Sequence, residues 1–149
     1  LVGRKTVRDG GAVAKAIIAQ VRATEAQLGE LTGADFQAMQ RHLAEGSAAL
    51  EAVVEYVVAN MKTDIKAVFA GSVPYLKLAG IVLGGWQMAR AAVAAQQKLG
   101  EGSGDAAFYN AKIATARFFA DHILSQAPGL RATIIDGSAG VMALSEEQF

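Results

Sequence analysis

The chain has no cysteine, two prolines, two histidines and one tryptophan, and its fourteen Lys plus Arg are matched by fourteen Asp plus Glu. Without cysteine there is no disulfide, no thiolate nucleophile and no Cys-based metal site. A net charge of zero supplies no overall field to gather nucleic acid or an anionic membrane, so a protein is the expected partner. Few prolines and few alternating β-branched runs argue against strands. Neither His42 nor His122 stands three positions after a glutamate, as a di-iron bundle of the Glu-x-x-His type requires, so both read as ordinary surface or hydrogen-bonded histidines. Long uninterrupted apolar runs are also missing. The most apolar stretch, 73–95, is broken by Lys77, Gln87 and Arg90, which argues against a membrane span. The opening residues are not expected to be a secretory leader, and the start at Leu1 rather than Met is expected to mark a fragment or a processed piece.

What is present is apolar helix text. The 149 residues suit one domain, 52% of them are hydrophobic and 19% charged, which is far from a disordered composition and leaves apolar surface to face a partner. Apolar residues recur three and four apart almost throughout, so the expected fold is all-α, an antiparallel four-helix bundle with an irregular C-terminal tail. In that reading residues 1–8 are a lead-in arm, 9–127 the bundle and 128–149 the tail.

The first helix is expected to start near Asp9, whose carboxylate can cap free amides, and to carry Val13, Ile17, Val21 and Leu28 inward until Gly29. Thr32-Gly33-Ala34-Asp35 has capping-box spacing and opens a second helix. Its stripe of Phe36, Met39, Leu43, Leu50, Val53, Val54, Val57, Met61, Ile65, Val68 and Phe69 predicts one long element to Gly71, with Gly46-Ser47 as a weak point or bend. Ser72 caps a third helix that tolerates Pro74 in its first turn and runs to about Leu99. Because 73–86 is apolar nearly all round, this half should lie centrally or against something beyond the bundle. After a glycine-rich loop, 100–104, Ser103 and Asp105 start a fourth helix. There Phe108, Ala111, Thr115, Phe118 and His122 are expected to face the core, widened by Ile113 and Phe119, until Ala127-Pro128-Gly129 ends the element. Beyond it Ala132, Ile134, Ile135, Val141, Met142 and Leu144 are apolar beads in a tail expected to lie over a surface.

Few constellations suggest chemistry. Glu51 and Glu55 share a helix face but read as a solvated pair unless buried beside a third group. Arg117 and Asp121, four apart, form a local ion pair. Gly80, Gly84 and Gly85 line a small-residue strip, which means close helix packing or approach to a partner, and Trp86 beside them reads as core or interface. The 100–104 loop lacks the Lys-Ser/Thr and the preceding strand of a phosphate loop. Arg4, Lys5 and Arg8 are a small basic cluster, either solvated or set against an acidic surface of a preceding domain. Tyr56, Tyr75 and Tyr109 are hydrogen-bond handles with no sign of convergence. No catalytic, cofactor-binding or metal-ligating residue is identified; the residues singled out for packing or interface are Gly80, Gly84, Gly85, Trp86, Phe108, Tyr109 and Phe118.

The order of Gly85-Trp86, Gly104-Asp105-Ala106-Ala107-Phe108-Tyr109 and Val141-Met142-Ala143-Leu144, with Leu1-Val2-Gly3-Arg4-Lys5 at the start, resembles the C-terminal extension of long bacterial acyl-CoA dehydrogenases. The resemblance covers most of the chain and is strongest from Tyr75 onward. It implies a parent enzyme that removes the α-proton of an acyl-CoA with a glutamate and passes the β-hydride to FAD, giving a trans-2-enoyl-CoA. It also implies catalytic domains preceding Leu1, a homo-oligomeric parent and a cytoplasmic setting. The flavin-contacting segment and the glutamate base of that family have no counterpart here, so the expected role of this chain is structural. The alternative is an independent helical interaction module whose apolar third helix binds a partner or itself.

Overall fold

The computed structural model describes residues 1–102, 104–141 and 143–148. Ser103, Met142 and Phe149, named above as helix start, apolar bead and tail end, lie outside them. Among the described residues there is helix and no strand: α1 Ala12–Gly29, α2 Ala34–Asn60, α3 Ile65–Ala70, α4 Ser72–Gly100, α5 Ala106–His122, α6 Ala127–Ile135 and α7 Ser138–Val141. The fold is all-α as expected. The described residues form seven α-helices where four were expected, and α2 and α4 are the centre, each packing on α1, α5 and α6 as well as on one another.

The departures from expectation have local causes. Asp9 supports the start of α1 as foreseen, accepting from the Gly11 and Val13 amides at 3.1 Å. Gly11 itself is required there: its φ is 83°, and a Cβ would stand 2.9 Å from Val54 Cγ1. The helix buries Ile18, Val21, Thr24 and Leu28, so Val21 and Leu28 face inward as expected, whereas Val13 is exposed and Ile17 half-buried. The Thr32 capping box does not form. Gly33 occupies the cap with no side-chain bond, and Asp35 accepts from Arg117 Nη1 at 2.9 Å instead.

The second helix does not reach Gly71. Asn60 closes α2 by donating from Nδ2 to the Tyr56 carbonyl at 2.8 Å, and Asp64 opens α3 by accepting from the Ala67 amide at 3.1 Å. Short polar side chains that satisfy backbone groups locally outcompete helix continuation there. The apolar stripe crosses the break only in part: Val68 is buried, while Ile65 and Phe69 are exposed. α2 is continuous through Gly46-Ser47.

In α4, Ser72 is the first helical residue and makes no side-chain cap, and Pro74 sits in the first turn, where its missing N–H costs nothing. Tyr75, Leu78, Val82, Gly85, Ala89, Ala92 and Ala95 form the buried face. By length and composition α4 could cross a membrane, but this face is covered by α1, α2, α5 and α6.

The expected face of the fourth helix is the wrong one. Asp105 caps α5 as foreseen, accepting from the Ala107 and Phe108 amides at 2.9 and 3.2 Å. Only the residues expected to widen that face turn inward, Ile113 buried and Phe119 half-buried; the rest of the inner face is Ala116 and Ala120, with Tyr109 half-buried. Phe118 is 59% exposed, and Phe108, Ala111, Thr115 and His122 share its outward face. Alanines on both α4 and α5 let the two axes approach, so the pair buries a small-residue seam rather than the larger aromatics. Nor does Ala127-Pro128-Gly129 end this helix. It stops at His122, a 3₁₀ turn covers Leu124–Gln126, and Ala127-Pro128 begins α6. Proline at a first turn is a starting signal as much as a stopping one. The 128–149 stretch is thereby partly core: Ile134 is buried and packs on Gly71, where a Cβ would stand 2.8 Å from Ile134 Cγ2. From Ser138 on, no described residue is buried.

Leu124 joins these elements. It is 2% exposed and fills a socket with glycine on both walls: a Cβ would stand 2.9 Å from its Cδ1 at Gly46 of α2, and 2.8 Å from its Cδ2 at Gly85 of α4. Gly84 faces the Phe119 ring at 3.1 Å in the same sense, whereas Gly80 is exposed with open space around it. The small-residue strip therefore packs at two of its three glycines. Leu124→Ala is expected to destabilise the fold by about 2–5 kcal/mol, and Phe118→Ala by less than about 1 kcal/mol. Urea-unfolding midpoints for the two variants check the order, which the sequence alone would have reversed.

Candidate functional site

The N-terminal arm is not a loose lead-in. Val2–Val7 forms a π-helical turn with Val2 and Thr6 buried. The Leu1 carbonyl accepts from the Lys5 and Thr6 amides at 3.1 and 3.2 Å, and the Gly11 amide donates to the Thr6 carbonyl at 2.8 Å. Thr6 Oγ1 and the Tyr75 hydroxyl are hydrogen-bonded at 2.8 Å, 69 positions apart in sequence. Burial pushes the Tyr75 phenol above its ordinary value of 10, the bond to Thr6 opposing that rise in part. Arg4, Lys5 and Arg8 face solvent.

Pinning the arm in this way leaves apolar hollows on either side of it. A half-enclosed cavity of about 240 Å³ lies among the arm, α1, α2 and α4, with Leu1, Val13, Ile17, Leu50, Val54, Ala79 and Leu83 as apolar lining and Thr6, Lys5 and Tyr75 as its polar-bearing residues. A wider groove of about 470 Å³ lies between the arm and the α3–α4 corner, lined by 1–4 with Phe69, Ser72, Val73 and Leu76. Arg4, Lys5, Arg8, Asp9 and Val13 line a third hollow beside these. Val73 is 76% and Leu76 62% exposed, and Leu1, Val13 and Phe69, which line the same hollows, are exposed with them. Such a contiguous apolar face rimmed by charge marks a contact surface. The sequence carried one signal of it, the all-round apolarity of 73–86, but none that would have added Leu1 and Phe69.

The other singled-out residues are placed as follows. Trp86 is half-buried, donates from Nε1 to Thr24 Oγ1 at 2.8 Å and so ties α4 to α1, with the Arg90 guanidinium 5.4 Å from its ring centroid. Phe108 lies edge-on to Tyr109 at 5.5 Å with Lys112 Nζ 5.1 Å above it, and Phe118 lies 4.5 Å from the His122 ring. They form a second apolar surface on α5, away from the arm in sequence.

The carboxylates are engaged rather than poised for chemistry. Glu51 accepts both guanidinium nitrogens of Arg22, and Glu55 pairs with Lys15 at 3.3 Å, two bridges between α1 and α2. Arg117 holds Asp121 at 2.6 Å and Asp35 at 2.9 Å, which pushes its already high pKa further up, the Asp121 bond contributing most. His42 has Glu45 3.4 Å from Nδ1 and Asp121 3.5 Å from Nε2. The two carboxylates lie at opposite ring nitrogens and do not converge on one point. Among the described residues no group of His, Cys, Asp or Glu is arranged to hold a metal.

A family model described as acetyl-CoA dehydrogenase C-terminal like matches residues 17–145. The chain belongs to that family. It is also 39% identical over 145 residues to 3-methylmercaptopropionyl-CoA dehydrogenase of Ruegeria pomeroyi, an alignment that covers 97% of this chain and 24% of the relative. The chain thus spans about a quarter of the length of the relative it matches. Of the residues that carried the resemblance, Gly85 receives Leu124, Trp86 binds Thr24 and Asp105 caps α5, whereas Leu1, Phe108, Val141 and Leu144 are exposed.

The Tyr75–Thr6 bond gives a pH test. A phenol whose pKa is raised on folding contributes stability that is fully present below its unfolded value of 10 and is lost as pH rises through the folded value. Tyr75→Phe is expected to flatten the loss of stability above pH 10 relative to the parent sequence, as urea unfolding at pH 8, 10 and about 11 will report.

Proposed function

We propose that this chain is the C-terminal helical domain of an FAD-dependent acyl-CoA dehydrogenase and serves that enzyme structurally, packing on its catalytic body or at a subunit interface. The observation that carries the reading is the family match over 17–145, together with a dehydrogenase relative about four times as long. The parent reaction is the α,β-dehydrogenation of an acyl-CoA to a trans-2-enoyl-CoA, in which bound flavin accepts the β-hydride. A homo-oligomeric parent in the cytoplasm, acting in acyl-chain metabolism, belongs to the same reading.

The division of labour is supported by what the described side chains offer. A flavin dinucleotide needs amides and charged groups converging on its pyrophosphate, commonly at a glycine-rich strand-to-helix turn. The cavity beside the arm is lined mainly by aliphatic side chains, with Lys5 its one charged residue, and does not fit that group, so no step is assigned to it. A proton-abstracting glutamate must be free to reach substrate, whereas Glu51 and Glu55 are held by cations. On the strength of the family resemblance, the flavin and the base are assigned to the part of the parent outside this chain.

The test is a comparison of the purified 149-residue chain with the full-length gene product. The short chain is expected to show no flavin absorption and no enoyl-CoA formation, and the full-length protein to show both. Bound flavin or turnover in the short chain overturns the structural reading. A full-length protein without either overturns the dehydrogenase reading and favours an independent interaction module.

A further inference from the structure

We propose that the apolar face built from Leu1, Phe69, Val73 and Leu76, with the basic rim of Arg4, Lys5 and Arg8, is where the preceding dehydrogenase portion of the same chain docks. This rests on the reading above and adds which face is used.

Three observations select the face and its occupant. The family is C-terminal by description, and the matched segment is 24% of the relative's length, so in a chain of that architecture the remaining three quarters arrives largely through Leu1. Leu1 is not free to lead it elsewhere: its carbonyl is held by the Lys5 and Thr6 amides, the arm is anchored by the Thr6–Tyr75 bond, and Leu1 itself lines both the cavity and the wider groove. A body joined at that point is presented to this face at an effective concentration in the millimolar range, whereas the α5 surface around Phe118 has no such attachment. The rim then specifies the chemistry of the opposing surface. Arg4 lines the groove with Val73 and Leu76 and also stands with Lys5 and Arg8 around the third hollow, where Asp9 is the one acid, so the complementary face is apolar at its centre and acidic at its edge.

Thiol footprinting tests this directly, because the chain has no cysteine of its own. Val73→Cys and Phe118→Cys are made singly in the full-length protein and in the 149-residue chain, and the labelling rate at each site is read by peptide mass spectrometry. Both positions are solvent-exposed here, so in the short chain both thiols react quickly. The expected result is at least a tenfold slower reaction of the Val73→Cys thiol in the full-length protein, with the Phe118→Cys thiol unchanged. Slowing at Phe118→Cys alone overturns the choice of face and leaves the structural role standing. Unchanged rates at both sites overturn this proposal and leave the packing role to be decided by the flavin and turnover comparison. Slowing of Val73→Cys in the short chain that grows with protein concentration assigns the face to a second copy instead.

Discussion

The insertion of Leu124 between two glycines is the contact on which the arrangement of the long helices depends. Gly46 on α2 and Gly85 on α4 leave an opening where any larger residue would meet the leucine at under 3 Å, and the side chain that fills it comes from the turn joining α5 to α6. One buried leucine is worth about 1.5–3 kcal/mol by transfer alone. Its structural effect is larger than that figure, because it sets where α5 must stop and α6 must begin. With the chain turned there, α6 reaches across α2 and α4 and delivers Ile134 to Gly71.

That second glycine contact explains how the two ends of the molecule are related. Gly71 stands at the corner between α3 and α4, and Ile134 holds the corner from inside. On its outer side the same corner presents Phe69, Val73 and Leu76 to the arm and to solvent. The arm is fixed by one buried pair of hydroxyls, Thr6 with Tyr75, which satisfies two polar groups that would be costly to bury alone. A fixed arm and a fixed corner make the apolar face a defined surface, which is what a docking role requires.

Much of the fold was legible before the structure. Three- and four-residue spacing gave the all-α class, Asp9 and Asp105 marked helix starts, and Gly29 marked an end, because capping and periodicity are local properties of the chain. The break at Asn60–Asp64 was legible in principle, through short polar side chains that bond their own backbone, but the apolar stripe running across it concealed the signal. The choice of face on α5 was not legible. Phe108 and Phe118 form as regular a stripe as Ile113, Ala116 and Ala120, and by apolarity alone the phenylalanines look the better core. Nothing local says that the neighbour is an alanine-lined helix that closes on small residues.

The sequence by itself determined the all-α class and the starts of α1, α4 and α5, since these follow from backbone capping and from a period of 3.6 residues. The order of family-like segments also sufficed to suggest the acyl-CoA dehydrogenase relationship, which the family match established. Only the tertiary structure decided which face of α1 and α5 turns inward, that Ala127-Pro128 opens a helix, and that Leu1, Phe69, Val73 and Leu76 share one exposed surface. Those outcomes depend on the volume available at a crossing and on residues about 70 positions apart meeting in space, and neither is a property of any short window of the chain.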